Sequence, residues 1–374
     1  MSEKNKSIEC EEAIDDEDTS CGELITQPFS PSDIRLSTPP MNMGDIIDMI
    51  QYDYIKFESD YQRNPNLWDP QQQSRLIESV LLGLRLPAFY FEEVTKKKWR
   101  IIDGLQRCCS IKNFCVDKSL TLEGMEFLTQ FEGKRYDDFL FDTKRDIRML
   151  PVTVNVLETG VPDQVKYILF KRLNTGGIEL KPQEIRNAVY VGKAIDLVKE
   201  LANDPSFIKV TLGKIPTLRK QDQDFVSRFI SFYLRGYKNY TPDLDNFING
   251  VMHDINAGMF NDRITKMKAD FRKSMDFSFE IFGNDAFRKR EYPGESRKPL
   301  NKAYFEVISV SFAHLSDDEL GKLLENQANF KSALIYKMHN DRSYNNSVSS
   351  GTGKKETVVK RFTVFNDILA DYIV

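Results

Sequence analysis

The segment Trp99-Arg-Ile-Ile-Asp-Gly-Leu-Gln-Arg107 sets a carboxylate, a glycine, an amide and a guanidinium within five residues. Ile101 and Ile102 read as a strand running into Asp103, and a helix follows from about Gln106 to Val116. The first turn of a helix has free backbone N–H groups and a positive dipole, so a phosphate can dock there. Gly104 lets the backbone approach closely, and Arg107 can fork onto phosphate oxygens. Asp103 can hold a divalent metal or orient an attacking water. The same spacing also has a purely local use. Asp-x-x-Gln is a capping box, in which Asp103 and Gln106 satisfy helix donors while Arg107 sits in an ordinary salt bridge. Five residues leave both uses open.

Two further segments could face the same ligand. Arg63, in Tyr61-Gln62-Arg63, offers either a second phosphate contact or a surface salt bridge. Asn174-Thr175-Gly176-Gly177 ends a helix, where Asn and Gly readily take positive φ as a cap. Such a turn can also form an anion-binding nest with the Asn174 side chain on the ligand. Glu184, Arg186 and Asn187, on a helix begun by Pro182, read as structural polar pairs.

Other chemistry finds less support. Cys108 and Cys115 share one helix face and read as core, and no Cys/His set has zinc spacing, so no metal ligands are assigned. His253, His314 and His339 are scattered, which leaves no HNH nuclease site. Gly351-Thr-Gly-Lys-Lys355 lacks the first glycine, the spacer and the preceding strand of a phosphate loop, and reads as a solvated loop. Residues 287–302 hold six basic residues against two acids. They form a solvated loop or track a nucleic-acid backbone, with Tyr292 available to stack.

The elements that must position these residues follow from local signals. Residues 44–50 read as a short helix. A better one opens at Trp68-Asp-Pro, with Asp69 as cap, Pro70 first, and Leu76, Ile77, Val80, Leu81 and Leu84 on one face. Two strands, 88–94 and 99–103, form a hairpin joined at Lys96-Lys-Lys98. A further strand is expected at 152–157. From Pro182 onward helix follows helix, with a mobile loop at 343–356 before a last helix over 357–372.

The chain has 374 residues, of which 41% are hydrophobic, 11% aromatic and 29% charged, enough for two domains with sizeable cores. No run approaches the length of a membrane span, the N-terminus has no apolar signal segment, and five cysteines, two adjacent, argue against a disulfide framework. A cytoplasmic protein is expected. The net charge of −4 is uneven: residues 1–24 carry nine acids and two lysines, a net −7. That tail is expected to be disordered. The mildly basic remainder suits a phosphate-bearing ligand.

Several of these strings occur in one order: Tyr61-Gln-Arg63, Leu76-Ile-Glu-Ser79, Ile102-Asp-Gly-Leu-Gln-Arg107, Phe170-Lys-Arg-Leu-Asn-Thr-Gly-Gly177 and Leu180-Lys-Pro-Gln-Glu-Ile-Arg-Asn187. Together they resemble the N-terminal domain family of the GmrSD type IV restriction enzymes, a ParB/sulfiredoxin-like fold of anti-phage proteins. Asn284-Asp-Ala-Phe-Arg288 and Pro299-Leu-Asn-Lys-Ala-Tyr-Phe-Glu306 are similar to that family's helical extension.

The resemblance implies an α+β ParB/sulfiredoxin-like domain over 45–190, after a tail and linker at 1–44, and an all-helical domain over 191–374. It implies a pocket for a purine NTP with Mg2+, in which Asp103, Gln106 and Arg107 are catalytic. Tyr61, Gln62, Arg63, Gly104, Asn174, Thr175, Gly176 and Gly177 line it, and the Tyr61 string is tied in some members to sensing modified DNA. Leu105 stands where the family usually has Gln. A sulfiredoxin needs Cys at Leu105 and His at Gln106, so reductase chemistry is not expected. The expected function is an NTP-binding and NTP-hydrolysing component of a phage-defence or restriction system acting on or sensing DNA. The alternative is a non-catalytic DNA-binding or sensor subunit whose partner, encoded nearby, carries the nuclease. In either case this chain alone is not expected to cut DNA efficiently.

Overall fold

The computed structural model describes residues 34–57, 68–173, 180–217 and 219–374. The chain divides into two compact units, the boundary falling between Val189 and Tyr190. The first unit is mixed α and β; the second is helical, with one isolated bridge between Arg288 and Leu300 among the described residues.

The first unit is built on a five-stranded sheet. In spatial order its strands are β1 (Leu36–Ser37), β7 (Val154–Leu157), β4 (Phe89–Thr95), β5 (Lys98–Asp103) and β3 (Ile55–Lys56). β4 and β5 form the expected antiparallel hairpin, while β7 runs parallel to β4 and β3 parallel to β5. The single strand expected over 152–157 is split. Val152 belongs to β6 (Pro151–Val152), which pairs with β2 (Met41–Asn42), and only Val154–Leu157 enters the main sheet. Thr153 is the joint: its carbonyl accepts the Phe89 N–H at 2.8 Å, so the chain crosses from one sheet to the other there.

The described α-helices of this unit are α1 (Met43–Gln51), α2 (Pro70–Leu81), α3 (Leu105–Ile111), α4 (Phe141–Met149), α5 (Asp163–Leu173) and α6 (Pro182–Val189). α2 starts as its sequence requires. Asp69 Oδ1 accepts the Gln72 N–H at 2.7 Å, Gln72 Oε1 accepts the Asp69 N–H at 3.1 Å, and Pro70 loses no hydrogen bond at the first position. Leu76, Ile77 and Val80 are buried, but Leu84 lies beyond the helix end and is exposed. α3 passes directly into a π-helical turn over Lys112–Val116, so the helical run from Leu105 is continuous. Phe89, Phe91, Ile101, Val154 and Val156 pack with Ile46, Ile77, Cys108 and Phe114 in one core. Each such apolar side chain stabilises the fold by about 1.5–3 kcal/mol. The opposite face of the hairpin carries charge: Glu92 accepts from Arg100 at 3.1 Å and from Lys166 of α5 at 2.7 Å. Burial alone would depress the Lys166 ammonium, but Glu92 and Asp163 outweigh it and hold its pKa above the usual lysine value.

The second unit comprises α7 (Lys193–Ala202), α8 (Pro205–Val210), α9 (Gln221–Arg235), α10 (Leu244–Asn256), α11 (Asn261–Phe282), α12 (Lys302–Ala313), α13 (Asp317–Glu325), α14 (Gln327–Asn340), α15 (Arg342–Ser347) and α16 (Lys355–Ala370). α12 is buried at every position from Ala303 to Ala313, so its polar side chains, Glu306 among them, must find partners inside the unit. Residues 343–356 are not the open loop their composition suggests. Tyr344, Ser347, Val348 and Thr352 are buried, and carbonyls of the stretch are taken by side chains from outside it, among them Val348 by Asn301 Nδ2 at 2.8 Å, Thr352 by Arg361 at 2.7 Å and Gly353 by the Tyr240 hydroxyl at 2.6 Å. Buried donors need acceptors, and this glycine-rich stretch supplies them. The 351–355 string is therefore packed rather than solvated at its centre.

The basic stretch 287–302 is also folded on itself. Arg288 donates to the Lys298 carbonyl at 2.6 Å, Arg290 pairs with Asp285, and Lys298 pairs with both Glu291 and Glu295. Tyr292 remains half-exposed with its ring edge-on to His339. No described helix is long and apolar enough to cross a membrane.

Candidate functional site

The corner where β5 turns into α3 gathers the residues of greatest chemical interest. Asp103 is the last residue of β5, paired with Tyr90, and Gly104 is the cap residue of α3 at φ +100. No side chain caps that helix. The capping-box use of Asp103 and Gln106 is therefore not realised, because the turn places Gly104, and not Asp103, at the cap position. The Asp103 carboxylate instead accepts from Arg107 Nη2 at 2.7 Å and keeps about a third of its side chain exposed.

Gly104 is required twice over. Its φ lies in the left-handed region, and a Cβ there would stand 2.8 Å from Phe89 Cδ1 and 3.3 Å from Arg107 Nη2. The Arg107 guanidinium is in turn closely held. Nη1 donates to the carbonyls of Pro87 and Ala88, the latter at 3.2 Å, and the group lies 4.6 Å from the centre of the Phe89 ring. The ordinary ion pair considered from the sequence is present, and these carbonyls and the ring add to it. This side chain fixes the position of Asp103.

Gln106 is the least settled member. Its Oε1 accepts the Trp68 N–H at 3.2 Å, which fixes the orientation of the amide, since only the oxygen can take that proton. Nε2 is then buried with no hydrogen-bond partner among the described residues. Leaving such a donor unsatisfied costs about 1–3 kcal/mol. The Trp68 peptide is gripped on its other side by Gln73 Nε2 at 2.8 Å, and Asn113 Nδ2 donates to Gln73 Oε1 at 2.9 Å. This relay ties the start of α2 to the first turn of α3. Leu105 packs against the core.

Trp68, Gln73, Phe89 and the Pro87–Ala88 carbonyls carry no sequence signal for this role. Glu78 does carry one: it is a carboxylate within the apolar run of α2. It accepts the N–H groups of Glu126, Phe127 and Leu128 at 2.8 to 3.1 Å. Burial raises its pKa, but the three backbone donors outweigh burial and hold it below the usual 4.5. Its stabilising effect is therefore complete above pH 4.5 and is lost as the pH falls through the lower folded value. Glu78→Gln should flatten the acid limb of a plot of unfolding free energy against pH. An unchanged acid limb would show that the carboxylate is not coupled to folding.

Tyr61, Gln62 and Arg63 and residues 174–177 lie outside the described residues, as does the acidic stretch 1–24. On α6, Gln183, Glu184, Arg186 and Asn187 are all buried. Glu184 accepts the Lys181 N–H at 2.7 Å, Arg186 donates to Gln183 at 3.0 Å, and Gln183 donates to Asn187 at 3.0 Å. Cys108, Cys109 and Cys115 are buried, and burial pushes the Cys109 thiol up to about 11 and that of Cys115 up to about 12. Thiolate is scarce at neutral pH, so these cysteines are not nucleophiles. Among the described residues no three metal-ligating side chains converge.

Residues 43–191 match the family model described as GmrSD restriction endonuclease, N-terminal domain. They form a domain of that family. The match begins at the first residue of α1 and ends just past α6, so the GmrSD N-terminal domain takes in the Asp103–Arg107 corner and the α6 cluster. No curated protein matches the chain.

Proposed function

We propose that the chain is a nucleotide-binding component of a restriction or phage-defence system that acts on or senses DNA, with a purine NTP and Mg2+ bound at the β5–α3 corner. The observation that carries this is the buried Gln106 Nε2, a donor with no acceptor among the described residues, in the same turn of chain as the Asp103 carboxylate, which is still open to solvent. A phosphate oxygen would satisfy that donor. Asp103 suits Mg2+, which takes one or two carboxylates together with substrate phosphates. Arg107, held by the Pro87 and Ala88 carbonyls, acts here as the residue that positions Asp103. The mixed sheet, hairpin and Gly104 turn support a ParB/sulfiredoxin-like reading of the domain over 45–190.

Titration calorimetry with the four NTPs and Mg2+ tests this. A purine NTP should give saturable heat, and Gln106→Ala should weaken it by about tenfold, the worth of one charge-assisted hydrogen bond. Absence of heat with every nucleotide, or equal affinity in the variant, overturns it.

A second reading is favoured by the engagement of Arg107. A guanidinium already committed to internal carbonyls is poorly placed to follow charge developing on a transferring phosphate. In that case the chain binds nucleotide without turning it over, and a protein partner carries the nuclease. Phosphate release by wild type, beside Asp103→Ala, separates the two.

A further inference from the structure

The tip of the β4–β5 hairpin is a concentrated positive charge. Lys96 and Lys97 form its two-residue turn, Lys98 opens β5, and Lys56 lies on the neighbouring edge strand β3. Lys56 is the register partner of Arg100, two residues on from Lys98, so Lys56 and Lys98 share one face of the sheet. All four lysines are exposed, and none has an ion-pair partner among the described residues. The carboxylate on that face of the hairpin, Glu92, is buried and already paired with Arg100 and Lys166.

Lysine often guards a sheet edge, and that accounts for Lys56. It does not account for Lys97, which is held at φ +72. Glycine or asparagine is the residue for such a position, and a lysine there is strained. Strain at an exposed tip is the kind of outlier from which a functional use of the side chain can be proposed.

We propose that this hairpin tip contacts the phosphate backbone of duplex DNA, with Lys96, Lys97, Lys98 and Lys56 as the contacting groups. The inference rests on the DNA-directed reading above and extends it to a surface. A two-stranded ribbon is of a size to enter the major groove, and lysine is a point charge suited to sequence-independent phosphate contact.

The test uses the full chain and a labelled duplex between about 50 and 200 mM salt. The variant combining Lys96→Gln, Lys97→Gly and Lys98→Gln should bind more weakly and reduce the slope of log K against log salt by about three, one per lysine. Lys97→Gly alone should lower the slope by about one while its melting temperature stays level or rises. An unchanged slope in the triple variant, or no duplex binding by wild type at the lowest salt, overturns the proposal. So does preferential capture of a peptide of residues 1–24, since that would make the occupant an acidic protein segment. Gln106→Ala should leave the slope untouched, so failure at the nucleotide site and failure at the hairpin are read separately.

Discussion

Glu306→Ala is expected to lower the unfolding free energy of the helical unit by about 3–5 kcal/mol, the range for breaking a buried ion pair from one side. Glu306 is fully buried on α12, in the middle of a helix with no solvent-facing side. Oε1 accepts from Arg228 Nη1 at 2.7 Å and Oε2 from Arg361 Nη2, itself fully buried. Arg228 has a second anion in Asp224 at 3.3 Å, which Lys302 shares at 2.8 Å. The acceptors found for Arg361 apart from Glu306 are the carbonyls of Thr352 and Ser347. Alanine therefore leaves a guanidinium buried without a counter-charge and opens a cavity beside it. Glu306→Gln keeps the volume and one acceptor and should fall between. Urea denaturation of the full chain measures both; a loss below about 1 kcal/mol for Glu306→Ala would mean that solvent reaches Arg361.

Gly104→Ala is expected to cost roughly 2 kcal/mol or more and to abolish nucleotide binding at the corner. The left-handed backbone alone costs a residue with a Cβ about 1–2 kcal/mol. The rest is steric. The new methyl meets Phe89, which is fully buried and cannot retreat, and presses on Arg107 Nη2, which holds Asp103. Gly133→Ala is the internal control, since Gly133 has φ +75 with nothing within 4 Å of a Cβ. Thermal denaturation of the two variants should differ by the steric part. Equal destabilisation would remove the case for a tightly built corner.

The local devices of the fold were legible because each is complete within a few residues. Asp69-Pro70 with Gln72 starts α2 wherever the chain is placed, and the alternation around Phe89 and Phe91 makes a strand with one face toward the core. The lysine-rich joint of the hairpin was legible too, though not that Lys97 would take positive φ. Over 152–157 the hydrophobic pattern continues through Thr153 and predicts one strand, but pairing, and not residue type, divides it there. The composition of residues 343–356 predicts an open loop because composition reports how a segment would behave alone in water. Their burial depends on donors 9 to 113 positions away.

The corner itself divides along the same line. By itself the sequence determined that a strand would end at Asp103, that glycine would turn it, and that an amide and a guanidinium would follow in the first helical turn. Those outcomes rest on backbone geometry and on neighbours one to four residues apart. Only the tertiary structure decided which partners those side chains would take. Arg107 is claimed by carbonyls 19 and 20 residues earlier and Gln106 by a peptide 38 residues earlier. A buried polar group bonds to whatever the packed chain brings within about 3 Å, and no spacing rule along the sequence encodes that distance.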